Sequence, residues 1–303
     1  MKQFNARETA QRLPYPALAD AVAAVLLGRG GLVAPERSVV NLGDGSLLLM
    51  PASSRALTVT KLVTVHPENP RRGLRAIQGE VVVMERSTGV RLGILDGATV
   101  TERRTAALSL LAARTLAPAP GGPLLIVGAG AQAGAHLEAF RVGLGVEKVF
   151  ISSRTPGKAE ALVAHARTLG MDAHFVENLA EVVADALLIV TATTSRTPVL
   201  TGPLRRDALV CAVGSFQPEM AELSADLIGG SRVVVDTLEA ARTEAGDLIQ
   251  AAAGAWDWSE AEALGDLLTN PAPTSDRPTV FKSVGHALFD LAAAHVAFGI
   301  PIS

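Results

Sequence analysis

The chain is 303 residues long, 49% hydrophobic and 19% charged, with a formal net charge of -3. That apolar content excludes intrinsic disorder, and the length suits about two domains, each able to bury a core without disulfide or metal staples. The near-balance of charge gives no reason to expect nucleic acid or an anionic membrane as partner, and the 4% aromatic content provides no stacking platform for single strands. One cysteine, Cys211, excludes an intrachain disulfide and any zinc site built on several thiolates. No metal site is expected, and a lone thiol fits a reducing, cytoplasmic setting. The longest charge-free stretch, Thr115 to Leu137, is broken by Pro118, Pro120, Gly121, Gly122 and Pro123, so no spanning helix is expected there. Asp20 interrupts the first apolar run, Ala17 to Gly28, which argues against a secretory signal.

From the N-terminus, the pattern predicts a helix around Ala17 to Leu27. Strands follow at Ser46 to Met50, Leu57 to Val65, Gly79 to Glu85 and Val90 to Asp96, and then a helix from about Thr101 to Leu116. Consecutive strands joined by short turns imply an antiparallel or mixed sheet. Pro118 to Pro123 punctuates the chain and marks an expected boundary. Beyond it, short apolar strands alternate with helical runs: Leu124 to Val127, then Ala131 to Val142; Lys148 to Ser152, then Pro156 to Leu169; Ala173 to Val176, then Leu179 to Ala184. Further strands fall at Leu187 to Val190, Ala208 to Val213 and Arg232 to Asp236. Such alternation implies a parallel sheet covered on both faces, the Rossmann-type doubly wound α/β class. The tail, Pro278 to Ala297, reads as an amphipathic helix. The expected division is a dinucleotide-binding domain over 118–275 and a second, α+β domain assembled from 1–117 and 276–303.

The strand Leu124 to Val127 runs into Gly128-Ala129-Gly130-Ala131-Gln132-Ala133, a G-x-G-x-x-A turn opening a helix. The first glycine permits the tight turn, the second lets backbone approach a pyrophosphate, and the small third residue lets helix and strand pack. A Gly-rich turn alone would be weak evidence; the strand before it and the β-α units after it point to a dinucleotide. NAD sites want a carboxylate about 20 residues on, to bond the ribose 2′-hydroxyl. Here the second strand ends in Ser152-Ser153-Arg154-Thr155, with Lys158 one turn into the helix. Hydroxyls and two cations in that place favour NADP, with NAD as the alternative; a solvated Arg154 is the plain competing reading.

In the strand Leu57 to Val65, Lys61 shares the apolar register with Leu57, Val59, Val63 and Val65. A lysine there is costly unless a ligand anion, a buried ion pair or a snorkelling stem answers it. In the helix after it, Arg104, Leu108 and Leu111 fall at i, i+4 and i+7, which turns Arg104 inward, while Arg103 lies on a face that leads to Arg114. An arginine fork matches a carboxylate in two contacts, a natural anchor for an amino or imino acid. His66, beside a proline turn and opposite Lys61, reads as structural or solvent-facing. His136 reads as exposed on its helix, and Cys211 as a small buried hydrophobe. Asp236, ending a strand, either contacts ligand or caps the next helix.

Further motifs run the length of the chain: Pro35-Glu36-Arg37, Leu49-Met50-Pro51, Lys61, the Thr101 to Ala107 segment around Arg104 with Ser109 after it, and Gly128 to Gln132. Ser153-Arg154-Thr155, Thr191-Ala192-Thr193-Thr194, Ala212-Val213-Gly214-Ser215, Glu222-Leu223 and Phe281-Lys282-Ser283-Val284-Gly285 follow. Together they resemble the ornithine cyclodeaminase and mu-crystallin family, which includes ketimine reductases, pyrroline-2-carboxylate reductases and some archaeal alanine dehydrogenases. The resemblance implies a two-domain protomer, a homodimer formed through the substrate domain, and a last helix that returns to the first domain. By position it implies that Arg37, Lys61 and Arg104 hold the substrate carboxylate and its nitrogen-bearing carbon, with Gln78 as a further pocket residue. It also implies that Thr191, Ala192 and Thr193 line the cofactor cleft, with Val213 beside them, and that Ser283 lies near the nicotinamide. Cyclodeaminases of the family carry an Asp where this chain has Phe216, and a phenyl ring moves no proton.

The expected activity is therefore NADPH-dependent reduction of a cyclic imino acid such as Δ1-pyrroline-2-carboxylate or Δ1-piperideine-2-carboxylate, with Lys61 and Arg104 as the catalytic cations. The alternatives are an alanine dehydrogenase, a cyclodeaminase using a different acid, and a mu-crystallin-like protein that binds NADPH and a small ligand without turnover.

Overall fold

A computed structural model describes residues 2–271 and 275–302. Residues 1, 272–274 and 303, which the expected domain ranges include, lie outside the described residues. The first elements in chain order are β1 (Lys2–Gln3), α1 (Ala6–Gln11), α2 (Tyr15–Leu26), β2 (Ser38–Asn41), β3 (Ser46–Ser53), β4 (Leu57–Val65), β5 (Ile77–Glu85), β6 (Arg91–Asp96) and α3 (Gly97–Leu116). After these come β7 (Leu124–Val127), α4 (Ala131–Leu144), β8 (Lys148–Ser152), α5 (Pro156–Thr168), β9 (Asp172–Phe175), β10 (Leu188–Thr191) and β11 (Leu209–Ala212). The last are α6 (Ala225–Gly229), β12 (Arg232–Val235), α7 (Leu238–Glu244), α8 (Gly246–Ala252), β13 (Ala261–Ala263), α9 (Leu264–Thr269), β14 (Thr279–Lys282) and α10 (Ala287–Phe298).

The chain forms two compact units, one of residues 1–107 with 286–303 and the other of 108–285. The first division falls inside α3, ten residues before Pro118, because the second half of that helix packs into the later unit: Leu110 lies against Gly143, and Ser109 bonds His136.

The first unit holds a six-stranded sheet in the order β1-β6-β5-β4-β3-β2. Strands β2 to β6 run antiparallel to their neighbours, and β1 lies parallel to β6. Period-two alternation in β4 buries Leu57, Val59, Lys61 and Val63, and Val81 and Val83 of β5 face the same way. Helix α10 packs on β3 and β4 and against α2. Pro16 sets the first turn of α2, and Gly299 in the left-handed region ends α10.

The second unit is a parallel eight-stranded sheet in the order β13-β12-β14-β11-β10-β7-β8-β9. Every residue of β7, β10, β11 and β14 is buried, as a sheet covered on both faces requires. The order reverses between β7 and β10, which makes the carboxyl ends of those two strands the switch point of a doubly wound fold. An α/β protein with a Rossmann-type sheet and an α+β partner unit is the fold class the sequence implied.

Two sequence expectations fail here. Pro278 to Ala297 is not one helix: Thr279–Lys282 is a strand set between β11 and β12, and the helix begins at Ala287. Thr279, Val280 and Phe281 have strand preference, and their burial in mid-sheet decides the outcome. Leu179 to Ala184 forms only a 3-10 turn over Leu179–Glu181, capped by the side chain of Asn178.

Candidate active site

In the first unit, three charged side chains meet under the sheet. Lys61 of β4 is 2% exposed, and its Nζ lies 3.0 and 2.9 Å from Oδ1 and Oδ2 of Asp290 on α10. Nε of Arg104, on α3, lies 3.5 Å from the same Oδ1. One fully buried carboxylate is thus shared by two cations. Burial pushes the Lys61 ammonium down to about 8; Asp290 opposes that shift, while the charges of Arg104 and Arg37 add to it. Arg37, half-buried ahead of β2, therefore acts on Lys61 electrostatically. Arg103, the neighbour of Arg104, instead lies over the ring of Tyr15 and donates to the carbonyl of Leu13. Gln78 is not brought to this cluster: it is exposed and pairs with Thr64, one step out of the Lys61 register. His66, partly exposed, lies 3.7 Å from Asp44 and away from the buried face.

In the second unit all strands are parallel, so the sequence's cofactor candidates fall on one edge, the carboxyl ends of β7, β8, β10, β11 and β14. Gly128 has φ +126, and a Cβ there would meet the carbonyl oxygen of Ala192 at 2.4 Å. The turn after β7 thus passes against the turn after β10 at the switch point, and only glycine permits it. Gly130 differs: its φ is -93, and nothing lies within 4 Å of where a Cβ would stand. Neither strain nor packing in the protein requires glycine at 130, and the open space in front of it suits the close approach of a pyrophosphate. Ala133 is fully buried, as the small third residue of the turn should be. The residues present fit a dinucleotide.

Ser153, Arg154, Thr155 and Lys158 stand at the end of β8 and the start of α5, with the last three exposed. No carboxylate occurs among residues 152–158. Thr155 occupies the N-cap of α5 without its side chain making the capping bond. Thr191 and Thr193 do not simply face outward: both hydroxyls donate to Glu222, at 3.0 and 2.9 Å. Val213, half-buried, donates its N–H to the carbonyl of Thr191. The hydroxyl of Ser283 donates to Asp236 Oδ2, which also accepts the N–H groups of Val284 and Gly285. Asp236 Oδ1 accepts the N–H of Thr237 ahead of α7 while Oδ2 fastens the segment after β14.

Sequence reasoning missed Asp290, Asp247 and the structural part of Glu222. Asp290 sits among Phe289, Leu291 and Ala292 on a helix buried nearly all round, and an acid in such a run is the one signal that marks it. His136 is a correction: it is fully buried rather than exposed. Its Nδ1 donates to the carbonyl of Gln132, which leaves Nε2 to accept from Ser109, and burial lowers its pKa to about 4. Cys211 is buried as read, and burial raises its thiol to about 12.

The pattern of the ornithine cyclodeaminase/mu-crystallin family matches residues 11–299. The chain belongs to the ornithine cyclodeaminase/mu-crystallin family. Within that family it is 40% identical to Delta(1)-pyrroline-2-carboxylate reductase 1 of Burkholderia multivorans, over 97% of this chain and 94% of that protein. It is 34% identical to the ketimine reductase mu-crystallin of Mus musculus, over 89% and 85% of the two chains. Among solved structures it is similar to Delta(1)-pyrroline-2-carboxylate reductase of Thermococcus litoralis, in complex with NADH and L-proline. That likeness has a TM-score of 0.92 and 26% identity, and covers 99% of this chain and 97% of that one.

Proposed function

We propose that the protein is an NAD(P)H-dependent reductase of cyclic ketimine carboxylates, converting Δ1-pyrroline-2-carboxylate or Δ1-piperideine-2-carboxylate to the cyclic L-amino acid. The observation that carries this reading is the buried Lys61–Asp290–Arg104 cluster, with the charge of Arg37 beside it, in a family member 40% identical to a pyrroline-2-carboxylate reductase. A positive, water-poor site attracts a small carboxylate, and a guanidinium fork fixes its plane. Arg104 and Arg37 bind the substrate carboxylate. Lys61, with its pKa near 8, holds at Nζ a proton that it can give to the imine nitrogen near neutral pH. Asp290 keeps the Lys61 ammonium in place while that proton is still bound.

When bound, a reduced nicotinamide supplies the hydride that reduces the imine carbon. The second unit is the dinucleotide-binding domain and the first the substrate-binding domain. Gly130 and the start of α4 receive the pyrophosphate, and Arg154 with Lys158 takes a 2′-phosphate, so NADPH is the preferred reductant. The working protein is a cytoplasmic homodimer. Phe216, half-buried, offers no acid for deaminative ring closure, which separates this chain from the cyclodeaminases. Purified protein mixed with Δ1-pyrroline-2-carboxylate should oxidise NADPH, with proline accumulating in equal amount. Binding of NADPH with no turnover of any cyclic ketimine would instead favour a small-ligand-binding protein.

A further inference from the structure

The second unit buries a second set of charges that the hydride chemistry does not use. Glu222 is fully buried, and its carboxylate accepts four hydrogen bonds. Oε1 takes the N–H and hydroxyl of Thr193, at 2.6 and 2.9 Å; Oε2 takes the hydroxyl of Thr191 at 3.0 Å and the N–H of Gly214 at 2.7 Å. Thr191 ends β10, Thr193 lies in the turn after it and Gly214 follows β11, so one side chain ties together the turns after two neighbouring strands. Glu222 is itself held: Asp247 Oδ1 accepts the backbone N–H of Glu222 and of Leu223, and Asp247 Oδ2 lies 2.8 Å from Nζ of Lys282 on β14. Burial alone would raise the Asp247 carboxyl, but the charge and contact of Lys282 and the two backbone donors hold it below its ordinary range.

The packing around Glu222 leaves no slack. A Cβ on Gly214 would meet Thr193 O at 2.1 Å and Glu222 Oε1 at 2.4 Å, so the motif glycine is required by the Thr193 carbonyl and this carboxylate together. Burying the Asp247–Lys282 pair beside Glu222, whose carboxyl burial pushes above its ordinary range against the charge of Lys282, is a poor way to gain stability, because a well-packed apolar set of the same volume does as well or better. What the arrangement does supply is a fixed geometry for Thr191 to Thr193 and Val213 to Gly214, beside the turn where Ala192 meets Gly128.

We propose that Glu222 is a positioning residue for the nicotinamide cofactor, acting through Thr191, Thr193 and Gly214 to hold the turns after β10 and β11 in the form that receives it. Thr191 and Thr193 then serve the cofactor through their bonds to Glu222. The inference rests on the nicotinamide part of the reading above.

Two measurements on Glu222→Gln test it, with Thr193→Val and Thr193→Ser as milder partners. The first is amide hydrogen exchange of the cofactor-free protein; the second is the NADPH dissociation constant from fluorescence titration. A glutamine oxygen cannot replace both carboxylate oxygens, so exchange at Thr193 and Gly214 should quicken and NADPH should bind about tenfold or more weakly. Thr193→Val should follow in part and Thr193→Ser, which keeps the hydroxyl, should restore binding. The ketimine KM at saturating NADPH should stay within about twofold of wild type. Faster exchange with unchanged NADPH affinity would overturn the proposal and leave Glu222 as a structural residue. Failure of the wild type to bind NADPH or NADH would instead defeat the functional reading itself.

Discussion

A lysine on the buried face of a strand must either lose its proton or find an anion, and Lys61 stands between these outcomes. Asp290 keeps it charged, while burial and the two arginines bring its pKa to about 8 from an ordinary 10.5. The active form for proton donation is the ammonium, which is complete well below pH 8, half present at about pH 8 and lost as pH rises further. The kcat/KM for ketimine should therefore fall above about pH 8, and Lys61→Met should lose about 100-fold or more in kcat. Asp290→Asn removes the carboxylate that raises Lys61, so the same limb should move to lower pH; an unmoved limb would take Lys61 out of the proton step. Arg154 carries a separate prediction. Arg154→Ala should raise the KM for NADPH about tenfold or more and leave that for NADH nearly unchanged, checked by paired kinetics with the two cofactors. Lys61 and Arg104 were legible because register and helical spacing show which way a side chain points. Asp290 was not, since its partners lie 229 and more than 180 positions away in sequence and no local pattern reports them.

At the scale of elements, the two glycines of the turn after β7 separate folding from binding. Gly128→Ala places a side chain on φ +126 and against Ala192, and should destabilise the protein by about 2 kcal/mol or more, seen as a lower unfolding midpoint. Gly130→Ala has room and ordinary backbone angles, so its unfolding midpoint should hold while NADPH affinity falls. The α4 helix also carries an acid-sensitive joint. Unfolded, His136 takes up a proton near 6.5; folded, it resists until about pH 4. The unfolded state binds the extra proton in that window, so stability is complete above pH 6.5 and falls by about 3 kcal/mol as pH drops toward 4. His136→Gln should flatten this part of the stability curve. The strands and helices from β7 to α5 were readable from apolar runs and turn residues. β14 was not, because four residues followed by a helix match a helix start as well as a strand, and only its place between β11 and β12 distinguishes the two.

For the whole molecule, a near-neutral composition concealed a division of labour. One unit, built from both ends of the chain, brings β4, α3 and α10 together around a shared carboxylate. The other is a continuous stretch whose parallel strands align a glycine turn, paired threonines and a buried acid on one edge. The β-α alternation made the sheet's class legible from the sequence; the inward face of α10 emerged only when the last residues folded back onto β3 and β4. Together these parts reduce a cyclic ketimine carboxylate. The most direct test follows NADPH absorbance after adding Δ1-pyrroline-2-carboxylate to the wild type and to Lys61→Met. The wild type should oxidise NADPH with one proline formed per NADPH, and the variant should lose about 100-fold or more of that rate. Stable absorbance with the wild type across five- and six-membered ketimines would rule out ketimine reduction by this protein.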